Sequence, residues 1–116
     1  MLPSEYVKRG WCQDSLKDEN GNVCVNGALW EYEYEKNNYK AKTLEAISYF
    51  HTIALKILGK PVSENPITNS FTIIKWNNDP ERTQEEVVDL LEKVEQELGL
   101  WNEMPEFKVR ENVRVR

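Results

Sequence analysis

The strongest constraint in this chain is a helix that carries its own start and stop signals. Thr83-Gln84-Glu85-Glu86 is a capping box: the Thr83 hydroxyl accepts a backbone N–H three residues on, and Glu86 reaches back to the N–H of Thr83. Val87, Leu91, Val94 and Leu98 follow at helical spacing, Leu90 widens the stripe, and Gly99 offers the left-handed conformation that ends a helix. Glu85, Glu92, Lys93 and Glu95 fall on the opposite side and are expected in water. A helix with one apolar face is stable only if other apolar stripes cover it.

The rest of the chain supplies those stripes. Leu44, Ile47, Phe50, Ala54, Ile57 and Leu58 predict a core helix over residues 41–58, stopped by Gly59-Lys60-Pro61. Shorter helices are expected over 3–12 and 27–36. Residues 67–76 contain Phe71, Ile73, Ile74 and Trp76; their β-branched content fits either helix or strand, and we read a helix. Asp18-Glu19-Asn20-Gly21-Asn22 is turn chemistry and reads as a loop rather than a hairpin, and 63–68, with Pro66, reads as another loop. The expected fold is mostly α, a small single-domain helical bundle of about four to five helices over residues 1–104.

After Trp101 the period changes. Phe107, Val109, Val113 and Val115 alternate with Lys108, Arg110, Arg114 and Arg116, so residues 105–116 read as a β-like C-terminal arm. Two readings stand: a basic tail that frays, or an arm that adds to a neighbouring chain's sheet, making a homo-oligomer, or touches an acidic partner.

With 116 residues the chain has room for one hydrophobic core. Its formal charge of −5 argues against nucleic acid and suits docking on a basic surface of another protein. No run of about 18 apolar residues predicts a membrane span, and the first residues lack a secretory pattern, so a cytoplasmic location is expected. Two cysteines and one histidine are too few for a disulfide scaffold or a zinc site, and the scattered glycines form no phosphate-cradling loop. No metal and no cofactor are therefore expected.

Catalysis needs a poised base or an activated nucleophile. His51 lies inside the long helix and reads as a core or flank residue; Cys24 with His51 as its base is the one nucleophile pairing to consider, and no sequence feature joins them. No catalytic residue is assigned. Trp30, Glu31, Tyr32, Glu33 and Tyr34 alternate aromatic and acidic side chains; they either pack beneath the chain's own loops or are the candidate protein-docking patch, since Tyr and Trp dominate interface hot spots. Asn77, Asn78, Asp79 and Arg82, around Pro80 and just ahead of the capped helix, are either loop scaffold or a ligand loop.

Three segments carry a resemblance: Gly10, Trp11, Cys12 and Gln13; Cys24, Val25, Asn26, Gly27, Ala28 and Leu29; and Trp76 to Thr83 followed by Gln84, Glu85, Glu86 and Val87. Together they resemble a family of small bacterial and phage proteins known only as a domain of unknown function, over roughly residues 7–96. Asn78 stands where that family usually has Asp, and Glu81 where it has Gly; a charged role for that Asp would here have been given up or moved to Asp79. The resemblance implies a compact helical fold and the company of phages, and no activity.

Two functional readings follow. In the first, the protein is a non-enzymatic interaction module, in its sharper form a phage-encoded inhibitor or regulator of a host defence protein, docking through Trp30, Tyr32 and Tyr34. In the alternative, it binds a small ligand or nucleotide with the Asn77 to Arg82 loop and the turn from Cys24 to Ala28.

Overall fold

The computed structural model describes residues 1–37 and 44–103. The C-terminal arm, the expected helix start at Ala41, and Tyr39 lie outside them. Five α-helices follow in order: α1 (Pro3–Arg9), α2 (Val25–Asn37), α3 (Leu44–Leu58), α4 (Pro66–Asn77) and α5 (Gln84–Glu97), with a short 3-10 turn at Leu100–Glu103. Among the described residues there is no strand, only two isolated β-bridges from Val23 to Trp11 and Lys17. The helical bundle expected from the periodicities is the fold that forms.

Each end has a local cause. Thr83 accepts from Glu86 N–H and Glu86 bonds back to Thr83 N–H, completing the capping box of α5, and Gly99 closes its far end at φ 71°. At the end of α3, Gly59 takes φ 69° and the N–H of Lys60 returns to Leu55 O at 2.9 Å, which satisfies a carbonyl the helix would otherwise leave open. The segment 63–68 is not all loop: Asn65 caps α4 by accepting from Ile67 N–H at 2.9 Å, and Pro66 takes the first helical position, where its missing N–H costs nothing. Residues 18–22 turn on Asp18, whose carboxylate accepts from the N–H groups of Asn20 and Asn22 and from the Asn22 side chain, with Gly21 at φ 85°.

Helix α3 packs on α2, α4 and α5, while α1 lies across α2 and α5. Phe50, Ile47 and Leu55 of α3 meet Leu29 of α2, Ile73 of α4 and Leu91 of α5 in the core. Tyr32 stands edge-on to Phe50, with ring centroids 5.8 Å apart. Ile57, expected on the core face of α3, is exposed, because the stripe that continues through Leu58 carries position 57 to the helix flank.

Glu95 corrects the sequence reading most sharply. Expected in water, it is 0% exposed. Its Oε2 accepts from Ser4 N–H at 2.7 Å, and its Oε1 from the Ser4 hydroxyl at 2.8 Å and the Trp101 indole at 3.1 Å. The carboxylate thus fastens the first turn of α1 and the 3-10 turn to α5, and burial pushes its pKa above the ordinary carboxylate range. Helical periodicity cannot show that an acid on the nominal outer face will be covered by α1 and the 3-10 turn.

Replacing Glu95 by alanine strands a backbone N–H and an indole N–H, so Glu95→Ala should destabilise the fold by about 3 kcal/mol in chemical denaturation. The sign of its pH dependence follows from the raised pKa. The folded chain binds this proton more tightly than the unfolded chain, so the residue's contribution is full below the unfolded carboxyl pKa and is lost as pH rises through the folded value. The substitution should therefore cost more at about pH 4 than at about pH 8.

Candidate functional site

The three segments singled out in the sequence meet at one side chain. Asn77, the last residue of α4, is buried. Its Oδ1 accepts from the Trp11 indole at 2.9 Å and from Val25 N–H at 3.2 Å; its Nδ2 donates to Cys12 O at 3.3 Å and to Asn78 Oδ1 at 3.0 Å. Gln13 adds two bonds, donating its amide to Asn77 O at 3.0 Å and Asp79 O at 2.7 Å, and Asp14 N–H donates to Asn78 Oδ1 at 2.9 Å. An amide suits this place because it offers acceptor and donor on one planar head, so it can terminate an indole, a helix N–H and a carbonyl together.

The glycine of the second segment has a packing cause. A Cβ on Gly27 would sit 2.0 Å from Leu16 O, so only glycine lets the 12–16 loop lie against the first turn of α2. Cys24, just ahead of that turn, accepts from Gly27 N–H through its sulfur at 3.4 Å, where a serine or aspartate oxygen would more commonly act. Burial pushes its thiol pKa up, so Cys24 is protonated and a poor nucleophile.

Around this junction lies a half-open cavity of about 200 Å³. Leu16, Val25, Ile73 and Ile74 form its apolar walls, and Asp14, Cys24, Asn26 and Asn78 bring polar atoms to it. Asn77 and Asn78 of the proposed ligand loop thus share a cavity with Cys24, Val25 and Asn26 of the proposed turn. Asp79 and Arg82 do not line it. Arg82 stacks on Trp76, 4.1 Å from the ring centroid, donates to Trp76 O at 2.9 Å and pairs with Glu86 at 3.2 Å, which makes it a brace between α4 and α5.

Behind the cavity runs a buried polar chain that the sequence did not reveal. Asn26 Nδ2 donates to Ser70 Oγ at 3.2 Å, so its Oδ1 accepts from His51 Nε2 at 2.7 Å. That fixes the proton of neutral His51 on Nε2, and its Nδ1 has no hydrogen-bond partner among the described residues. Burial lowers the His51 pKa to about 4. His51 and Cys24 share no hydrogen bond.

The acidic and aromatic run does not form a single face. Tyr32 and Glu33 are buried, Trp30 and Glu31 are half-buried, and Tyr34 is 51% exposed. Glu33 accepts from the Tyr49 hydroxyl, and Glu31 pairs with Lys17 at 3.4 Å. A helix turns about 100° per residue, so alternate positions that share one face in a strand separate onto core and solvent sides here.

Asn77→Ala removes the acceptor of the buried Val25 N–H and the half-buried Trp11 indole and should cost roughly 3 kcal/mol in urea denaturation, with a changed Trp11 environment in fluorescence. His51 gives a pH signature. Its folded pKa is depressed, so its contribution is full above the unfolded value and is lost as pH falls through the folded one. Between the ordinary histidine value of 6.5 and about 4, stability should drop by roughly 3 kcal/mol, and His51→Gln should flatten that slope.

Residues 5–97 match the profile of a family of unknown function, DUF6197. No curated protein and no solved structure matches the chain. The matched stretch runs from α1 to the end of α5, and with it all the segments that meet at Asn77. The chain belongs to the DUF6197 family of unknown function.

Proposed function

We propose that this chain is a small-ligand-binding domain, with the ligand seated between the N-terminus of α2, the C-terminus of α4 and the 12–16 loop. The observation that supports it is the convergence of residues from three distant parts of the sequence around one cavity of about 200 Å³ with mostly apolar walls. Ligand sites are concave, largely apolar and supplied with a few polar groups. A cavity of about 150 Å³ with such walls holds a benzene ring, so the natural occupant is a small molecule or the end of a larger one. The reading is a non-enzymatic one: the Cys24 thiol stays protonated, and His51 bonds Asn26 deep behind the cavity. A cytoplasmic setting belongs to the proposal and is supported by two cysteines that stand as free thiols.

A second reading, the interaction module with a phage-encoded inhibitor as its sharper form, is favoured by α4 rather than by Trp30 and Tyr32. Ile67 and Phe71, one turn apart, are 54% and 60% exposed, and Ile74 continues that stripe into the cavity wall. One experiment separates the two readings. With methyl-labelled protein, neutral aromatic fragments such as indole should shift Leu16, Val25, Ile73 and Ile74 resonances, Ile74→Trp should abolish the effect by filling the cavity, and Phe71→Glu should leave it intact. Fragments that shift none of those methyls, together with a lysate partner retained by the wild type and lost with Phe71→Glu, would reverse the order of the two readings.

A further inference from the structure

Asp14 brings the one formal charge to the cavity lining. Most of the other polar groups there are already engaged, though the Ser15 hydroxyl meets only the Cys12 sulfur at 3.7 Å and Asn78 Nδ2 makes no hydrogen bond among the described residues. The N-terminus of α2 would ordinarily draw an anion, but Val25 N–H is held by Asn77 Oδ1 at 3.2 Å, Gly27 N–H by Cys24 Sγ at 3.4 Å and Ala28 N–H by Cys24 O at 2.9 Å. Both amide atoms of Asn26 are bonded, to His51 and to Ser70, and both of Asn77 are bonded as well. Asn78 Oδ1 accepts twice, from Asp14 N–H and Asn77 Nδ2.

The Asp14 carboxylate, by contrast, carries no ion pair and no hydrogen bond among the described residues. Its backbone is held at φ 67°, a left-handed conformation that Asp tolerates better than most residues, by the bond from its N–H to Asn78. A negative group therefore stands at a mouth whose walls are mostly apolar, beside a helix N-terminus whose anion-binding N–H groups are occupied.

We infer that the cavity binds a small molecule with an apolar body, about one ring and a short tail in size, whose protonated amine pairs with Asp14. This rests on the ligand-pocket reading above and narrows it to cations. The apolar body loses water against Leu16, Val25, Ile73 and Ile74, and the ammonium keeps a charge-assisted bond at the rim, where it remains partly hydrated.

Three probes of nearly equal shape test it by methyl NMR at about pH 7: phenethylamine, 2-phenylethanol and 3-phenylpropanoate. The amine should shift the Leu16, Val25, Ile73 and Ile74 methyls and bind roughly tenfold more tightly than the alcohol, the carboxylate weakest of all. Asp14→Asn keeps a residue suited to the left-handed backbone; it should leave the free protein's methyl spectrum unchanged and bring the amine down to the affinity of the alcohol. Equal binding of all three probes at those methyls, or undiminished amine binding by Asp14→Asn, overturns the cation preference and leaves the pocket standing. No shift with any probe overturns the pocket reading itself.

Discussion

The structure depends on one buried amide. Asn77 ends α4, and through it the indole of Trp11, the first N–H of α2 and the carbonyl of Cys12 are all satisfied inside the protein. A long loop, residues 10–24, separates α1 from α2 and has almost no ladder of its own. Most of this loop is exposed or half-buried, but its two ends lie against the core, where polar backbone must find partners. Some it finds within itself, from Cys12 N–H to Val23 O and from Val23 N–H to Gly10 O; Asn77 at the end of α4 provides another, and Gln13 and Asp14 extend the same junction to Asp79 O and Asn78.

Two other buried polar groups serve the same end in different ways. Glu95 ties α1 and the 3-10 turn to α5, and the pair of Asn26 with His51 joins α2 to α3 and, through Ser70, to α4. An apolar core selects helix faces but leaves their rotation and register loosely set. Directional bonds between named atoms restrict both, at the cost of desolvating a carboxylate and an imidazole, and that cost appears as a raised pKa for Glu95 and a lowered one for His51.

The same junction makes the cavity. Asn77 holds the 12–16 loop near α2, and Gly27 lets Leu16 approach the helix backbone, yet Ile74, beside the buried Ile73, is not fully covered. The polar motif residues are thus mostly structural, and the space between them is what remains open to a ligand. The exposed α4 stripe of Ile67 and Phe71 reaches that space only through Ile74.

What the sequence alone determined is the set of helices and their ends. The capping box at Thr83, the stops at Gly59 and Gly99, and the stripes through Phe50 and Leu91 are local, and local rules suffice for them. The helix over 67–76 was only half legible, because its β-branched residues fit helix or strand, and its start at Asn65 and Pro66 falls in a stretch that reads as loop. The candidate site was half legible: the polar loop at Asn77 and Asn78 and the turn at Cys24 stood out by composition, but Leu16, Asp14 and Ile73 carried no signal of their own. Only the tertiary structure decided which residues meet. Glu95 went inside because α1 and Trp101 closed over it, Tyr32 and Glu33 went inside because α3 covers that side of α2, and the cavity exists because segments far apart in sequence share one hydrogen-bonded node. Contacts of that range depend on the path of the whole chain, which periodicity, a property of a few turns, does not encode.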